Sequence, residues 1–548
     1  MTSVSTDISK YMGNAVSLAS IWGNILINVK ASPYFAKGDG VTDDTLAIRS
    51  ACNYVMDQGG GEIYFPGGTY NVSFDVTDTM YYALFKFGGN TGFKMAKGAK
   101  IKVVGSKPKL YSSVFGVNES LLPIDNIQFS NVNIEGISLL PVGLPGSDQN
   151  PIGISFAVSP DTPARSIQNV IIENCNLTNL DYGIYIVHRS TVGSTTRQTQ
   201  NVKIKGCSAI GCVGSFATLD GEDIIVEENT ADGADTSLAF DAISIHAGLN
   251  VKIQGNEFWN YGQGQVINVR NSPENLCGSK NISLADNTIR DCPTIGIQIS
   301  LQAGESVFGV DNVLISDNKL ANVTTGIVVT PGAASAGTPL RFMKVEGNQI
   351  NATLTGMQVN GNAGIPVEQS DISNNRITSS ATTTGYGMFL NFVLYSKITG
   401  NDIQSTANAA GHKTFSGSNL SYDQIVNNKI WPNTDSVEVM TITTLVESNF
   451  SSNYVRGVYS FTGISASLLR SNLFQSLGTN EGRTFGEGWE QDEFNNIVIY
   501  MGAAPVSLAW LKGDRVINNN PAPSGYVGFI CTTSGTPGTW KGFGAIQA

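Results

Sequence analysis

The chain of 548 residues carries 33 Lys and Arg against 44 Asp and Glu, a net charge of −11, and only 14% of its residues are charged. No cluster of Lys and Arg offers the basic face that binding a phosphate backbone requires, so no nucleic acid partner is expected. Sixty glycines, with abundant Asn, Ser and Thr, suit short strands and turns better than long helices.

The opening "MTSVSTDISKYMGNAVSLAS" lacks a basic leader followed by an apolar run, and nowhere do about 18 apolar residues follow one another. A soluble chain without a signal peptide or membrane insertion is expected, with residues 1–30 forming an N-terminal arm. In "GDGVTDDTLAIRSACNYVMDQGGGEIYFPGGTY", Gly38 to Tyr70, Thr42 or Asp43 can cap a helix start, with acidic Asp43 and Asp44 near the positive end of its dipole. Ile48, Ala51, Cys52 and Val55 follow at i, i+3, i+4 and i+7, and Gly59 to Gly61 end the helix. Ile63 and Phe65 then share one face of a strand before a Pro-Gly-Gly turn. A phosphate-binding loop would need a strand before the glycines and a Lys-Ser/Thr pair after them, and neither is present. The alternative is a plug for the open apolar end of a parallel β-solenoid. This stretch resembles the N-terminal signature of the pectate-lyase superfamily, which includes many phage tailspikes and polysaccharide-degrading enzymes. The resemblance implies the fold and leaves the reaction open.

A phrase of the form NVxIxxN then recurs: "NVIIENCNL" from Asn169, "NVKIKGCSA" from Asn201, "DIIVEENTA" from Asp223, "NVKIQGNEF" from Asn250, "NISLADNTI" from Asn281 and "NVLISDNKL" from Asn312. More degenerate copies continue downstream. The seventh position is Cys175, Cys207, Asn229, Asn256, Asn287, Asn318, Asn348, Asn375, Asn401, Asn428, Asn449 and Asn472. Repeats of this length mark a solenoid. Asn tolerates left-handed turns and can stack into a ladder of bonded amides, with the two cysteines filling the same slot as small buried groups. Each rung has a second strand, as in "GIYIV", "AISIH", "VINVR" and "GIQIS". The expected architecture is all-β: a right-handed parallel β-helix over residues 31–480, with its cap at 38–70. A β-propeller would need longer repeats and blade motifs that are absent.

Residues 481–548 break the rhythm and read as a small C-terminal β module. It resembles tailspike segments that bind glycan or close the assembly, although Trp510 and Trp540 are read first as its core. The seven cysteines (Cys52, Cys175, Cys207, Cys212, Cys277, Cys292, Cys531) are odd in number and lack paired metal-ligand spacing. Buried free thiols are expected, with no metal and no cofactor.

The densest functional composition lies between residues 214 and 271. Cleaving a glycosidic bond usually takes two carboxylates, about 5 to 5.5 Å apart for retention or 6.5 to 9.5 Å for inversion, so carboxylates are the residues to seek. Asp220, Glu222, Asp235 and Asp241 lie here with His246, Trp259, Tyr261 and Arg270. If Ile243 and Ile245 point inward, and Ile267 and Val269 do so one rung later, His246 and Arg270 are stacked outward neighbours, with Ser300, Thr330, Asn360 and Asn391 later in the column. "FDAISIHAG" resembles the strand carrying the paired-aspartate motif of polygalacturonase-type glycosidases, with Asp241 at the second aspartate and Phe240 replacing the first. That departure leaves the family's acid–base set incomplete. Asp241 is the candidate acid or base, Asp220 and Asp235 are possible partners, and His246 could orient or shuttle a proton. Arg270 could hold a carboxylate or hydroxyl, and Glu222 could bind substrate. Trp259 and Tyr261 are either sugar-stacking platforms or loop-core aromatics. His188 with Arg189 is a lesser alternative. The opposing reading of the acidic run is a solvated turn that serves only solubility.

The resemblance implies a homotrimeric phage tailspike depolymerase that binds and hydrolyses bacterial surface polysaccharide, capsule or O-antigen, as part of the virion. Its N-terminal arm would join the tail or another spike. Three alternatives stay open: a lyase acting on a uronate-containing glycan, a receptor-binding spike without catalysis, and a secreted bacterial enzyme.

Overall fold

Alternation along each strand decides which side chains go inside, and the same two-residue period holds from rung to rung. Val170 and Ile172, Val202 and Ile204, Ile224 and Val226, and Val251 and Ile253 are all buried at successive levels. Burying each such side chain contributes about 1.5–3 kcal/mol, so a one-residue slip would turn a whole rung inside out. The computed structural model describes residues 25–547 other than 75–81, 106–110, 138–149, 159–165, 188–196, 198, 236, 271–277, 302–308, 332–339, 382–383, 407–410, 433–437, 466, 476–477, 481–482, 486–488 and 492–495. Most of the N-terminal arm and the pair His188 and Arg189 thus lie outside the described residues.

Two compact units result, Met1–Thr324 with Gly332–Thr338, and Thr325–Pro331 with Pro339–Ala548. Each contains a parallel β-helix, with three strand series per turn in the first unit and, in the second, an additional series of two-residue strands running from Val367–Glu368 to Ile464–Ser465. In the first unit, one series runs through Ile167–Glu173, Thr199–Lys205, Glu222–Glu227, Leu249–Gln254 and Ser279–Ala285, each strand parallel to the next. A second, of short strands, runs through Asn176–Thr178, Ser208–Ile210, Thr230–Asp232 and Glu257–Trp259. The third comprises Ile152–Ser155, Tyr182–Ile186, Ser215–Leu219, Asp241–His246 and Gln265–Arg270. The second unit repeats this plan, for example in Lys397–Thr399, Asp402–Ser405 and Lys413–Ser418. At Gly478–Asn480 and Arg483–Phe485 the pairing turns antiparallel, and it stays mostly so to Thr539–Ala545. There Trp510 is buried and meets half-buried Trp540 edge to face at 5.2 Å.

The helix forms over Thr45–Asp57 and buries Thr45, Ile48, Ala51, Cys52 and Val55, the expected stripe. It packs against Gly61–Phe65 and Ala83–Phe87. Its N-cap is Asp44, one residue past the expected Thr42 or Asp43. The Asp44 carboxylate turns away to accept the Lys37 and Gly38 N–H groups, while Asp43 accepts the Thr45 N–H at 2.8 Å.

The amide ladder is present. In the first unit Asn229 Nδ2 donates to Asn256 Oδ1 at 2.9 Å, Asn256 to Asn287 at 2.9 Å, and Asn287 to Asn318 at 3.0 Å. Each amide also reaches back to a carbonyl of the preceding rung, as Asn229 does to Ile204 O at 3.1 Å. Cys207 occupies the same slot, with its Sγ 3.6 Å from Ile172 O and its N–H bonded to Asn229 Oδ1. In the second unit the ladder runs Asn348, Asn375, Asn401, Asn428, Asn453 and Asn472. Asn453 therefore replaces the expected Asn449. The cause is phase: Phe450 pairs with Ile425 and takes its inward site, so Asn449 opens the strand and Asn453 falls in the corner. The first asparagine of the phrase builds a second column outside the core. Asn126, Asn169, Asn201, Asp223, Asn250, Asn281 and Asn312 all have φ between 54° and 60°. Asn201 donates to Asn169 at 2.6 Å, and Asn312 to Asn281 at 2.7 Å. All described cysteines are free and buried.

Asn287→Leu would remove the side-chain acceptor of the Asn256 N–H and the amide bonds that Asn287 makes with Asn256 Nδ2, Ile253 O and Asn318 Oδ1 in the corner. A loss of about 3 kcal/mol or more is expected by urea unfolding, with Asn287→Cys markedly milder because a thiol already fits this slot at Cys207.

Candidate active site on the third strand series

The outer face of Asp241–His246 and Gln265–Arg270 gathers the polar side chains that the inward isoleucines leave outside. Ile243, Ile245, Ile267 and Val269 are fully buried, and His246 pairs in register with Arg270. The expected stacking is therefore found, and Arg270 pairs in turn with Ser300. In the second unit Asn360 and Asn391 are paired in the same way, with their amides 3.0 Å apart.

Arg270 Nη2 lies 2.7 Å from His246 Nε2, and Ser244 Oγ is 2.9 Å from the same nitrogen. A guanidinium can only donate, so Nε2 is the acceptor and the ring carries its proton on Nδ1. Burial, and then the positive charge of Arg270, hold the imidazole well below its usual value. It is neutral at pH 7.

Asp241 stands at the start of its strand. Its Oδ1 accepts the Gln265 N–H of the next rung at 2.8 Å, and Asn268 Nδ2 lies 3.5 Å from Oδ2. This close seating depends on Gly264, where a Cβ would collide with Asp241 Oδ1. Burial pushes the carboxyl up to about 6, against the opposing pull of the Gln265 N–H, Arg270, Asn268 and Ser244. Such a group gives or takes a proton near neutrality.

The other expected residues are dispersed. Asp220 is buried and donates its N–H to Ile186 O. It follows Leu219, the partner of Ile245, and so stands level with His246, whereas Asp241 is level with Ser215. Five strand positions, about 17 Å, separate Asp220 and Asp241 along the face, so they do not form a directly facing pair. Asp235 is exposed on the preceding loop, where its carboxylate accepts the Ser237 N–H and Oγ–H and is lowered by them. Glu222 lies round the corner, opening a strand of the first series opposite Gln200 and Leu249. Trp259 ends a strand of the second series, and the Arg290 guanidinium covers one of its faces at 4.6 Å while bonding Glu257. Of the two roles open to Tyr261, the core aromatic is the one found, and the sugar-stacking one is corrected. Its ring is fully buried and its N–H lies 3.5 Å from Cys292 Sγ, so it has no face to offer a sugar. Ser244, Gln265, Asn268 and Gly264 were not singled out. The signal was available for Ser244 and Asn268, because each stands two residues before a member of the His246–Arg270 pair.

The three-sided coil bearing this cluster makes the protein a parallel β-helix protein. Residues 26–298 match the family described as Rhamnogalacturonase A/epimerase, pectate lyase-like. The chain is 31% identical over 137 residues to Mannuronan C5-epimerase AlgE6 of Azotobacter vinelandii, a match taking in 22% of this chain and 15% of that protein. It thus spans only a small part of that relative's length. Among solved structures it resembles the tailspike protein of E. coli bacteriophage HK620, as a double mutant, with a TM-score of 0.50, 12% identity and coverage of 95% of this chain and 91% of that one. The A-module of AlgE6 matches with a TM-score of 0.43, 16% identity and coverage of 80% and 98%. At 12% identity the likeness to the tailspike is one of fold.

The raised Asp241 carboxyl has a consequence for stability. Below its ordinary value of 3.8 the group is protonated folded or unfolded and its burial costs nothing extra. As pH rises toward about 6 the unfolded chain ionises first, and above about 6 the full penalty, about 2–3 kcal/mol, is present. Asp241→Asn, neutral throughout, is expected to exceed the parent by about that amount at pH 8 and to match it at pH 3. Denaturant midpoints at the two pH values measure the difference.

Proposed function

We propose that this protein is a phage tailspike depolymerase, a homotrimer that binds and cleaves bacterial surface polysaccharide, with hydrolysis at the face bearing Asp241. One observation carries the reading: a carboxyl held near 6 and acted on by the Arg270 guanidinium, which in turn contacts a neutral imidazole, on a solenoid flank where side chains of successive rungs align along a linear polymer. The family match over residues 26–298 supports a sugar polymer as substrate. In this reading Asp241 protonates the departing glycosidic oxygen, and Arg270 grips a carboxylate or hydroxyl of the glycan. His246, fixed by Arg270 and Ser244, orients the guanidinium. The second carboxylate of a hydrolase comes from outside the Asp241–Asp220 pair, since these two do not face each other.

The Arg270–His246 contact favours a second reading, proton abstraction beside a uronate carboxylate as in a lyase. Arg270 would turn from His246 to neutralise that carboxylate, which frees Nε2 of the neutral imidazole to take the proton. Incubation with capsule and O-antigen preparations, followed by mass spectrometry, separates the two: saturated ends mean hydrolysis, and ultraviolet-absorbing unsaturated uronates mean elimination. Asp241→Asn and His246→Ala are each expected to lower cleavage at least 100-fold without dissociating the oligomer. Full activity in both variants would remove the site, and a glycan bound but never shortened would leave a binding spike.

A further inference from the structure

Two rungs before Asp241 on the same outer face, three tyrosines meet. Tyr182 and Tyr185 lie on one strand, with ring centroids 4.9 Å apart, and Tyr111 stacks on Tyr185 at 6.1 Å and 25°. Ile184 and Ile186 point inward and are fully buried, which sends Tyr185 outward. All three rings are half-buried, so each keeps part of its surface toward solvent.

Register ties this cluster to the acid. Tyr182 pairs with Ser215, and Ser215 with Asp241. Tyr185 pairs with Thr218, Thr218 with Ser244, and Ser244 with Asn268. The Tyr182 ring leans over Gly214 of the intervening rung, where a Cβ would come within 2.8 Å of it, and Asp241 N–H bonds Gly214 O at 3.3 Å. An unbroken strip therefore runs from the rings across a side-chain-free glycine to the carboxyl.

We propose that Tyr111, Tyr182 and Tyr185 form a sugar-binding platform that seats a pyranose ring of the glycan about two residues from the bond cleaved at Asp241. Two rungs span about 10 Å, the length of roughly two pyranose units. Partly exposed aromatic faces suit the C–H surface of such a ring, and tyrosine hydroxyls suit its rim. The platform rests on the proposed function, because it takes Asp241 as the cleavage point. It replaces Tyr261 as the aromatic contact and makes these tyrosines binding residues that act at a distance from the chemistry.

The test uses the full chain carrying Asp241→Asn, so that bound glycan stays intact, on arrayed capsule and O-antigen preparations and on size-fractionated oligosaccharides of whichever one binds. Tyr185→Ala is expected to weaken binding of long chains about tenfold or more, while Tyr185→Phe stays near the parent. In the Asp241-intact protein, Tyr185→Ala raises KM for long chains and leaves kcat and the turnover of oligosaccharides too short to reach the rings unchanged. General damage to the coil would lower all of these together. Tyr111→Ala gives a second reading should Tyr185→Ala not fold. Parent-like binding and KM in a folded alanine variant would overturn the platform while the proposed function stood. Binding of no glycan by the unmutated chain would overturn both.

Discussion

A parallel coil has no tight hairpin to fix the register of one turn on the next, and its backbone ladder alone would tolerate a shift of two residues without exposing the core. The corner asparagines remove that freedom. An amide whose Nδ2 reaches back to a carbonyl of the rung behind and forward to the amide oxygen of the rung ahead can do so in one phase only, as in Asn229–Asn256–Asn287–Asn318. Every outward column inherits that phase. Arg270 sits over His246, and Tyr182 stands two levels from Asp241, because the corners lock the levels together.

The chemistry of the face follows from crowding under this constraint. Inward positions are saturated with isoleucine and valine, so polar side chains concentrate outside and must share one another's hydrogen-bonding groups. His246 loses its charge because it is buried beside a guanidinium, and Asp241 holds its proton more tightly because Gly264 lets the next rung close over it. Neither shift needs a special motif. Both come from neighbouring rungs being nearly as close as strand pairing permits.

The coil was legible because its signals are periodic: apolar residues two apart, a corner amide every rung, and a helix stripe of Ile48, Ala51, Cys52 and Val55. The His246–Arg270 pairing was legible for the same reason. The misreadings arose where phase depended on something other than the nearest asparagine. Asn449 looked like a corner residue, yet Phe450 had to fill Ile425's inward site and moved the corner to Asn453. Tyr261, in a glycine-rich segment, suited a sugar platform as well as the core, but the chain there turns inward and buries the ring, with its N–H at Cys292 Sγ. The tyrosines at 111, 182 and 185 carried no local pattern linking them to Asp241. Their relation exists only through three strands that are distant in sequence and adjacent in space.

The neutral state of His246 also shapes how the face meets a charged polymer. With the imidazole uncharged, Arg270 is the fixed cation of the His246 contact, and Asp241 changes its ionisation between mildly acid and neutral solution. Acidification therefore takes one negative charge from this face while Arg270 stays cationic, and the attraction of the face for a polyanion rises as protons are added.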